Sequence, residues 1–242
     1  MNYEQITVDT SSHVCTVTLN RADKLNAWTQ RMENEFRHAV EAAAEDANVR
    51  AIVVTGAGRG FCSGADMSIL EAGAAGADVS GEASPDAGMG GTGIAANYTH
   101  RFSYLLRVPK PIIAAINGPV AGIGLCMTMF CDFRYMAQGQ KLTTAFAKRG
   151  LIAEHGVSWL LPRLVGLPTA LDLLCSARKF RAPEALAMGL VNRVIPDDKL
   201  LAETRAYATL LANTVSPRSV AVMKRQLWEA QFQTLAEATV TP

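Results

Sequence analysis

The chain has 242 residues, of which 49% are hydrophobic, so it can bury a substantial core as one large domain or as one domain with a small appendage. Its 23 basic and 22 acidic side chains nearly cancel, which excludes a global field that would draw the protein to nucleic acid or to an anionic membrane. We therefore expect any anionic ligand to be held by a local site.

Cysteine usage and the first residues indicate the compartment. The five cysteines form no CxxC pair, and their odd number argues against the disulfide framework of secreted proteins; they are Cys15, Cys62, Cys126, Cys131 and Cys175. Residues 1–9 lack the basic and apolar runs of a signal peptide, and no apolar stretch approaches the length of a membrane span. We expect a soluble cytoplasmic protein without a membrane partner.

The chain begins with a predicted hairpin and a helix. Residues 3–19 contain two β-favouring stretches separated by Thr10-Ser11-Ser12. From Thr29 onwards, apolar residues recur at helical spacing with charged residues between them, and Asn48 could end this helix.

Short apolar runs then predict buried strands. Residues 51–54 and 111–116 are continuously apolar, as expected of strands covered on both faces, and a helix is predicted between them at 97–107. Strands that alternate with helices imply parallel βα units and an α/β fold.

Two further regions differ in character. Residues 71–93 contain seven glycines and few large apolar side chains, which predicts a mobile surface loop. Beyond Gly156 the pattern is mostly helical, with Pro183 near one helix start and Ser216-Pro217 as cap and first position of a helix over 218–231.

Several familiar sites are excluded. Residues 56–60 read Gly-Ala-Gly-Arg-Gly, which is not the G-x-G-x-x-G of a dinucleotide site, and no P-loop, G-x-S-x-G or H-E-x-x-H motif occurs. The four histidines are too scattered to predict a metal cluster. We interpret His13 and His38 as surface residues, and His100 as structural, although it lies beside the predicted loop and could approach a substrate.

Two glycine-rich segments are the best candidates for a site. Residues 61–67 and 117–124 each follow a predicted strand, and ligands of open α/β folds bind at such strand ends. Glycine allows the backbone to approach a ligand closely, so two such turns can direct N–H groups at one carbonyl oxygen. They could also be simply two tight turns. Cys62 and Cys126 lie within these segments, where packing is a better interpretation than a thiolate nucleophile.

Four motifs in this order resemble the crotonase (enoyl-CoA hydratase/isomerase) superfamily over most of the chain, from residue 16 to residue 196. They are Asn-Arg-Ala-Asp-Lys-Leu-Asn-Ala at 20–27, Gly-Phe-Cys-Ser-Gly-Ala-Asp at 60–66, Lys-Pro-Ile-Ile-Ala-Ala-Ile-Asn-Gly at 110–118 and Ala-Pro-Glu-Ala-Leu-Ala-Met-Gly-Leu-Val at 182–191. Each motif is weak alone, but the combination is specific.

The resemblance implies a crotonase-like spiral of ββα units over residues 1–195, followed by a C-terminal helical region over 196–242. It also implies a homotrimer or a dimer of trimers. Family members continue into a further helix that contributes to the coenzyme site, whereas this sequence stops at Pro242. Either the protein lacks that element or the sequence is incomplete, so the contact to the coenzyme phosphate stays unassigned.

The resemblance further implies a site for an acyl-CoA thioester, with no cofactor besides the coenzyme A of the substrate. The backbone N–H groups of Ala65 and Ile123 would form an oxyanion hole for the thioester oxygen. Residues implied to line the coenzyme groove and this hole are Lys24, Asn26, Ala27, Ser63, Gly64, Asp66, Met67, Ser68, Gly122 and Gly124. For Lys24, a plain solvated position is an equally good interpretation.

The catalytic acid is the point at which the sequence departs from family hydratases. Their two glutamates align with Cys126 and Phe146, neither of which can activate water or move a proton from carbon. The segment around Glu154 instead resembles isomerase branches that carry their acid there. Glu154 could alternatively cap the helix that begins near Gly156.

These observations favour an enoyl-CoA isomerase that converts a 3-enoyl-CoA to a 2-enoyl-CoA with Glu154 as the single acid and base. Two alternatives stay open. One is an enoyl-CoA hydratase that uses Glu154 and a second group not identified from the sequence. The other is a non-catalytic acyl-CoA-binding subunit, because a fold does not determine a function.

Overall fold

The structure is a computed structural model and describes residues 1–67 and 93–240. Ser68 and, apart from Gly93, the stretch predicted to form a mobile loop lie outside the described residues. In the two described ranges, no helix has both the length and the apolar character needed to cross a bilayer.

The strands of the described ranges form two sheets. They are β1 (Ile6–Ser11), β2 (Val14–Leu19), β3 (Ala51–Gly56), β4 (Ile112–Ile116), β5 (Val120–Ala121), β6 (Phe133–Ala137), β7 (Lys141–Thr143), β8 (Phe180–Arg181) and β9 (Arg193–Ile195). The larger sheet has the order β1-β2-β3-β4-β6-β9, in which β1 and β2 are antiparallel and each later pair is parallel. The small sheet consists of β5, β7 and β8. The predicted α/β class is confirmed.

Helices connect the strands and dominate the C-terminal part. They are α1 (Gln30–Glu45), α2 (Ile123–Met129), α3 (Val157–Val165), α4 (Leu167–Ser176), α5 (Ala182–Ala187), α6 (Leu200–Thr214), α7 (Pro217–Glu229) and α8 (Leu235–Val240). Short 3-10 turns occur at Ala22–Lys24, Gly93–Tyr98, Ser103–Arg107, Ala147–Arg149 and Ala230–Phe232.

The predicted hairpin and first helix are confirmed with small shifts in their ends. Strand β1 runs on to Ser11, so the turn consists of Ser12 and His13, both with left-handed backbone angles. At the start of α1, the hydroxyl of Thr29 accepts a hydrogen bond from the N–H of Met32. The helix ends at Glu45, three residues before Asn48.

The predicted helix over 97–107 is wrong. Two separate 3-10 turns occupy this region, and Phe102 between them has a φ of 62°, which a continuous α-helix does not permit. The reason is tertiary packing, because the buried Phe102 ring meets the rings of Trp28 and His155 edge to face. This packing against other elements overrides the local helical pattern.

The central strands β3 and β4 of the larger sheet are buried on both faces, as predicted from their continuous apolar runs. In β3, Ile52 and Val54 face one hydrophobic cluster, whereas Ala51 and Val53 face another. The first cluster contains the apolar face of α1, and the second contains Ala208 of α6. Both faces exclude water, so the loops at the carboxyl ends of the strands are held on a rigid support.

The helical C-terminal part is anchored to the rest of the chain. The hydroxyl of Ser216 caps α7, as predicted, but that helix ends at Glu229 rather than at 231. From α7, the Nζ of Lys224 reaches the carboxylate of Asp132 at 2.7 Å and the backbone oxygen of Leu105 at 3.1 Å. This buried cation fixes the helix against the loop that precedes β4.

Candidate active site

The first glycine-rich turn follows β3 and pairs with the segment before α1. Trp28 donates its N–H to the oxygen of Gly64 and accepts a hydrogen bond from the N–H of Asp66, both at 2.8 Å, in a parallel bridge centred on Ala65. Because Ala65 lies between these two bonds, its own N–H points away from Trp28. This N–H is therefore available to a ligand on the opposite side.

The second glycine-rich turn begins α2. Gly122 has a φ of 49° and a ψ of −124°, a conformation that strongly favours glycine, and it occupies the N-cap. Ile123 is the first helical residue, so its N–H has no acceptor within the helix. The positive end of the helix dipole supports an oxygen that becomes negative at this place.

The two turns are directly adjacent. Cys62 and Val120 form a parallel bridge, and the N–H of Ala121 donates to the oxygen of Cys62 at 3.0 Å. A Cβ built on Gly122 would lie 4.0 Å from the Cα of Gly64. The structure thus brings together the two segments that the sequence singled out.

Three side chains hold the first turn in place. Asn26 is fully buried, and its amide nitrogen donates to the oxygens of Ala57 (3.0 Å) and Gly60 (2.8 Å) while its amide oxygen accepts the N–H of Arg21. The guanidinium of Arg21 contacts Asp66 at 2.8 Å. The side chain of Asn26 therefore joins backbone segments below the surface, where it cannot contact coenzyme A.

Other residues implied to line the coenzyme groove do lie at the surface. Lys24, Ser63 and Met67 are exposed, and the hydroxyl of Ser63 donates to the oxygen of Lys24 at 3.3 Å. Ala27 and Gly64 are buried, so the exposed rim belongs to their neighbours. The exposed rim formed by Lys24, Ser63 and Met67 lies at the end of the first described range, residues 1–67.

Glu154 lies in the segment before α3, with its side chain 38% exposed. Within the described residues, no N–H of α3 donates to this carboxylate, and the N-cap position is taken by Gly156. The interpretation of Glu154 as a helix cap is thus not supported by its contacts. Its Oε2 instead lies 3.7 Å from the Nε2 of His155.

The charge of Glu154 acts on the first turn of α2. Burial, and next the negative charge of Glu154, raises the pKa of Cys126, which lies in the first turn of α2. Burial also raises the pKa of Cys62 to about 12. Both thiols are therefore protonated at neutral pH, which favours packing over a nucleophilic role. Phe146, at the other position expected for a hydratase acid, is buried and apolar.

A network of partly buried side chains that the sequence reasoning missed connects the surroundings of Glu154 with the first turn. The positive charge of Arg101 acts on His155, the Nε of Arg101 contacts Glu33 at 2.7 Å, and the indole Nε1 of Trp28 donates to the same carboxylate at 3.2 Å. The adjacency of a histidine to the candidate acid was a visible signal. The roles of Arg101 and Glu33 depend on long-range contacts that no local pattern reveals.

The remaining histidines are accounted for by surface contacts. His13 contacts the oxygen of Asn48 at 2.7 Å, and His38 contacts the hydroxyl of Tyr3 at 2.8 Å. For His100, the backbone N–H donates to the hydroxyl of Ser103. In the described ranges, no three side chains of histidine, cysteine, aspartate or glutamate are grouped so as to hold a metal ion.

The chain matches a family model described as enoyl-CoA hydratase/isomerase over residues 9–241. It is 32% identical over 222 residues to a 1,2-epoxyphenylacetyl-CoA isomerase of Escherichia coli K12, covering 92% of this chain and 81% of the relative. It is also 35% identical to a probable enoyl-CoA hydratase of Mycobacterium leprae, covering 89% and 71%.

Solved structures agree with this assignment. A monofunctional enoyl-CoA isomerase from M. smegmatis superposes with a TM-score of 0.78 at 29% identity, covering 98% of this chain and 99% of that one. An enoyl-CoA hydratase from Mycobacterium marinum gives a TM-score of 0.75 at 39% identity, covering 95% and 99%. The expected crotonase-like architecture is confirmed.

Proposed function

Because the chain belongs to the enoyl-CoA hydratase/isomerase family and is an enzyme that acts on acyl-CoA, we propose that it converts 3-enoyl-CoA thioesters to 2-enoyl-CoA thioesters. The observation that carries this proposal is the set of side chains beside the two turns. Glu154 offers a partly exposed carboxyl group, whereas Cys126 and Phe146 stand where a hydratase would carry its glutamates. A double-bond shift needs one acid and base, and hydration needs two.

In the proposed reaction, the N–H groups of Ala65 and Ile123 donate to the thioester oxygen. Glu154 removes a proton from C2, and the electrons of that C–H bond delocalise into a dienolate whose charge rests on the thioester oxygen. The protonated Glu154 then returns the proton to C4, which leaves the double bond between C2 and C3. No atom is gained or lost, and the carboxylate is regenerated.

The stabilisation of the dienolate is the larger part of catalysis. Each preorganised oxyanion donor contributes about 3 kcal/mol to the transition state. The donor of Ala65 is held by the bridge to Trp28, and that of Ile123 is held by the start of α2. Both donors are backbone groups on supported turns, so little reorganisation is needed when charge develops.

The proposal extends to substrate binding. Lys24, Ser63 and Met67 form an exposed rim next to the first turn, which suits a long, polar coenzyme A moiety. Gly64 and Gly122 lack side chains that would crowd the thioester close to the backbone, whereas Gly124 allows α2 to pack against Cys62. The buried side chain of Asn26 and the contact between Asp66 and Arg21 keep this rim in place.

The decisive experiment replaces Glu154 by glutamine and measures the turnover of 3-hexenoyl-CoA. We expect kcat to fall by about 10²- to 10⁴-fold, the usual contribution of a positioned acid or base. Glu45→Gln, at the exposed end of α1, serves as a matched control that should keep full activity. Unchanged turnover of the Glu154→Gln protein would refute the assignment.

A hydratase is the second candidate, because one relative is described as a probable enoyl-CoA hydratase. The addition of water to crotonyl-CoA, followed through its ultraviolet absorbance, distinguishes the two activities. A non-catalytic acyl-CoA-binding role would be supported by tight binding without turnover of either substrate.

For the assembly, we propose a homotrimer or a dimer of trimers, which is consistent with the exposed leucines at 167 and 171 on α4. A stable monomer in sedimentation would contradict this.

A further inference from the structure

His155 is held in an unusual position beside the candidate acid. Its backbone has a φ of 56°, a left-handed conformation that costs a non-glycine residue free energy and persists where packing enforces it. Its side chain is 12% exposed, and its ring meets the ring of Phe102 edge to face with 6.2 Å between centroids. The imidazole therefore has a defined orientation, and its Nε2 faces Glu154.

The surroundings of His155 keep its ring uncharged. Burial, and next the positive charge of Arg101, lowers the pKa of His155 to about 4. The titratable groups that act on it are Glu154 on its own segment, at 3.7 Å, and Arg101, which is paired with Glu33. A neutral imidazole has one N–H donor, which can bind a carboxylate without neutralising its charge.

This arrangement joins the two halves of the site. The ring of Phe102 meets the rings of both His155 and Trp28 edge to face, and the indole N–H of Trp28 donates to Glu33, which also contacts Arg101. Trp28 in turn forms the backbone bridge that orients Ala65. A displacement of His155 would thus be resisted by the same residues that hold the oxyanion donor, so the acid and the hole share one support.

We propose that His155 is a positioning residue that holds the carboxylate of Glu154 toward the oxyanion hole by donating a hydrogen bond from Nε2. The separation of 3.7 Å lies just beyond hydrogen-bond range, and a movement of less than 1 Å in the partly exposed Glu154 side chain closes it. The orientation matters because the same carboxylate must reach both C2 and C4 of the acyl chain. This inference rests on the proposed isomerase function.

A matched pair of variants separates positioning from simple stability. In His155→Gln, the amide nitrogen takes a place near the original Nε2 and keeps a donor for Glu154. In His155→Asn, the amide is one methylene shorter and cannot reach, but asparagine tolerates the left-handed backbone better than glutamine. A structural role therefore predicts that the asparagine variant is the more active, and a positioning role predicts the opposite.

We expect His155→Gln to keep kcat for 3-hexenoyl-CoA within about threefold of the parent. We expect His155→Asn to lose about 10- to 100-fold in kcat with KM within about twofold, which is the scale produced by misplacing a catalytic group by about an ångström. Thermal unfolding of both variants is measured in parallel. Equal activities, or activities that follow the unfolding temperatures, would overturn the inference.

The Glu154→Gln protein separates this inference from the proposed function. If Glu154→Gln retains full turnover, the isomerase assignment itself fails. If Glu154→Gln is inactive while His155→Asn matches the parent, only the positioning role fails. The double variant Glu154→Gln/His155→Asn should be as active as Glu154→Gln alone. His155 is proposed to act through Glu154, so the losses of activity from the two substitutions should not add.

Discussion

Gly124 packs directly against the side chain of Cys62. A Cβ built on Gly124 would lie 2.6 Å from the Cβ of Cys62 and 2.7 Å from its Sγ, distances that real atoms do not adopt. The first turn of α2 and the strand-end turn after β3 therefore touch without any space between them. This contact sets the separation between the N–H groups of Ala65 and Ile123.

The first prediction follows from this contact. In Gly124→Ala, the added methyl group should push α2 away from Cys62 and reduce the free energy of unfolding by about 1–3 kcal/mol. Activity on 3-hexenoyl-CoA should fall as well, because Ile123 moves with the helix. Alanine favours helix formation over glycine, so intrinsic propensity cannot explain a loss. Urea unfolding and kcat provide the measurements.

A second substitution, at Cys62, tests whether the loss in Gly124→Ala comes from this contact. Cys62→Gly removes both the Cβ and the sulfur that the new methyl group would meet. The double variant should thus recover part of the stability that Gly124→Ala loses. If Gly124→Ala unfolds at the same urea concentration as the parent, the contact does not constrain the turn.

The second prediction concerns the buried amide of Asn26. In Asn26→Ala, the backbone oxygens of Ala57 and Gly60 and the N–H of Arg21 lose their partner. Each buried group left unpaired costs about 1–3 kcal/mol, so a large loss in the free energy of unfolding is expected. Because the first turn is released, KM for the acyl-CoA should rise. Asn34→Ala, at an exposed amide of α1, should change neither quantity.

The third prediction concerns thiol chemistry. Cys175 is exposed, whereas the other four cysteines are buried, so one thiol should react rapidly with Ellman's reagent in the folded protein. Burial raises the pKa of Cys62 and Cys131 to about 12, which keeps them as unreactive thiols. Cys175→Ser should abolish the rapid phase. A second fast thiol that substrate protects would instead indicate a reactive group at the site.

The fourth prediction is a pH dependence of stability that arises from Glu35. Burial alone raises the pKa of this carboxyl, but the N–H groups of Gln5 and Glu4 and the guanidinium of Arg31 outweigh it, so the net pKa is lowered below 4.5. A lowered folded-state pKa stabilises the fold fully above the unfolded value. That contribution is lost as the pH falls through the folded value.

The measurement compares Glu35→Gln with the parent in urea unfolding between neutral and acidic pH. The parent should be the more stable at pH 7, and the difference should shrink as the pH falls below about 4. Glu41→Gln removes an exposed carboxylate from the same helix and should produce little difference at any pH, since surface ion pairs contribute about 0–1 kcal/mol. A constant difference for Glu35→Gln would show that its titration does not matter.

Much of the architecture could be predicted because it is locally encoded. The alternation before residue 19, the helical period of α1 and the apolar run of β3 each depend on neighbours along the chain. The prediction of a helix over 97–107 was wrong because the conformation there depends on contacts with residues distant in sequence. There, Phe102 takes a left-handed conformation to meet Trp28 and His155, which are distant in sequence.

Some features of the candidate site could likewise be predicted from the sequence, whereas others could not. The sequence alone indicated that two glycine-rich turns follow buried strands. Its resemblance to the family implied that Cys126 and Phe146 stand where hydratases carry glutamates and that Glu154 is the candidate acid. These conclusions need residue identity and order, which a sequence contains.

Only the tertiary structure decided how these pieces meet. It revealed that Gly124 touches Cys62, that Asn26 is a buried support rather than a groove-lining side chain, and that His155 faces Glu154. Such contacts join residues from separate βα units, and their distances follow from how the strands are ordered and how the helices pack. A local sequence pattern does not contain these distances, so the relative positions of Ala65, Ile123 and Glu154 are decided only when the chain folds.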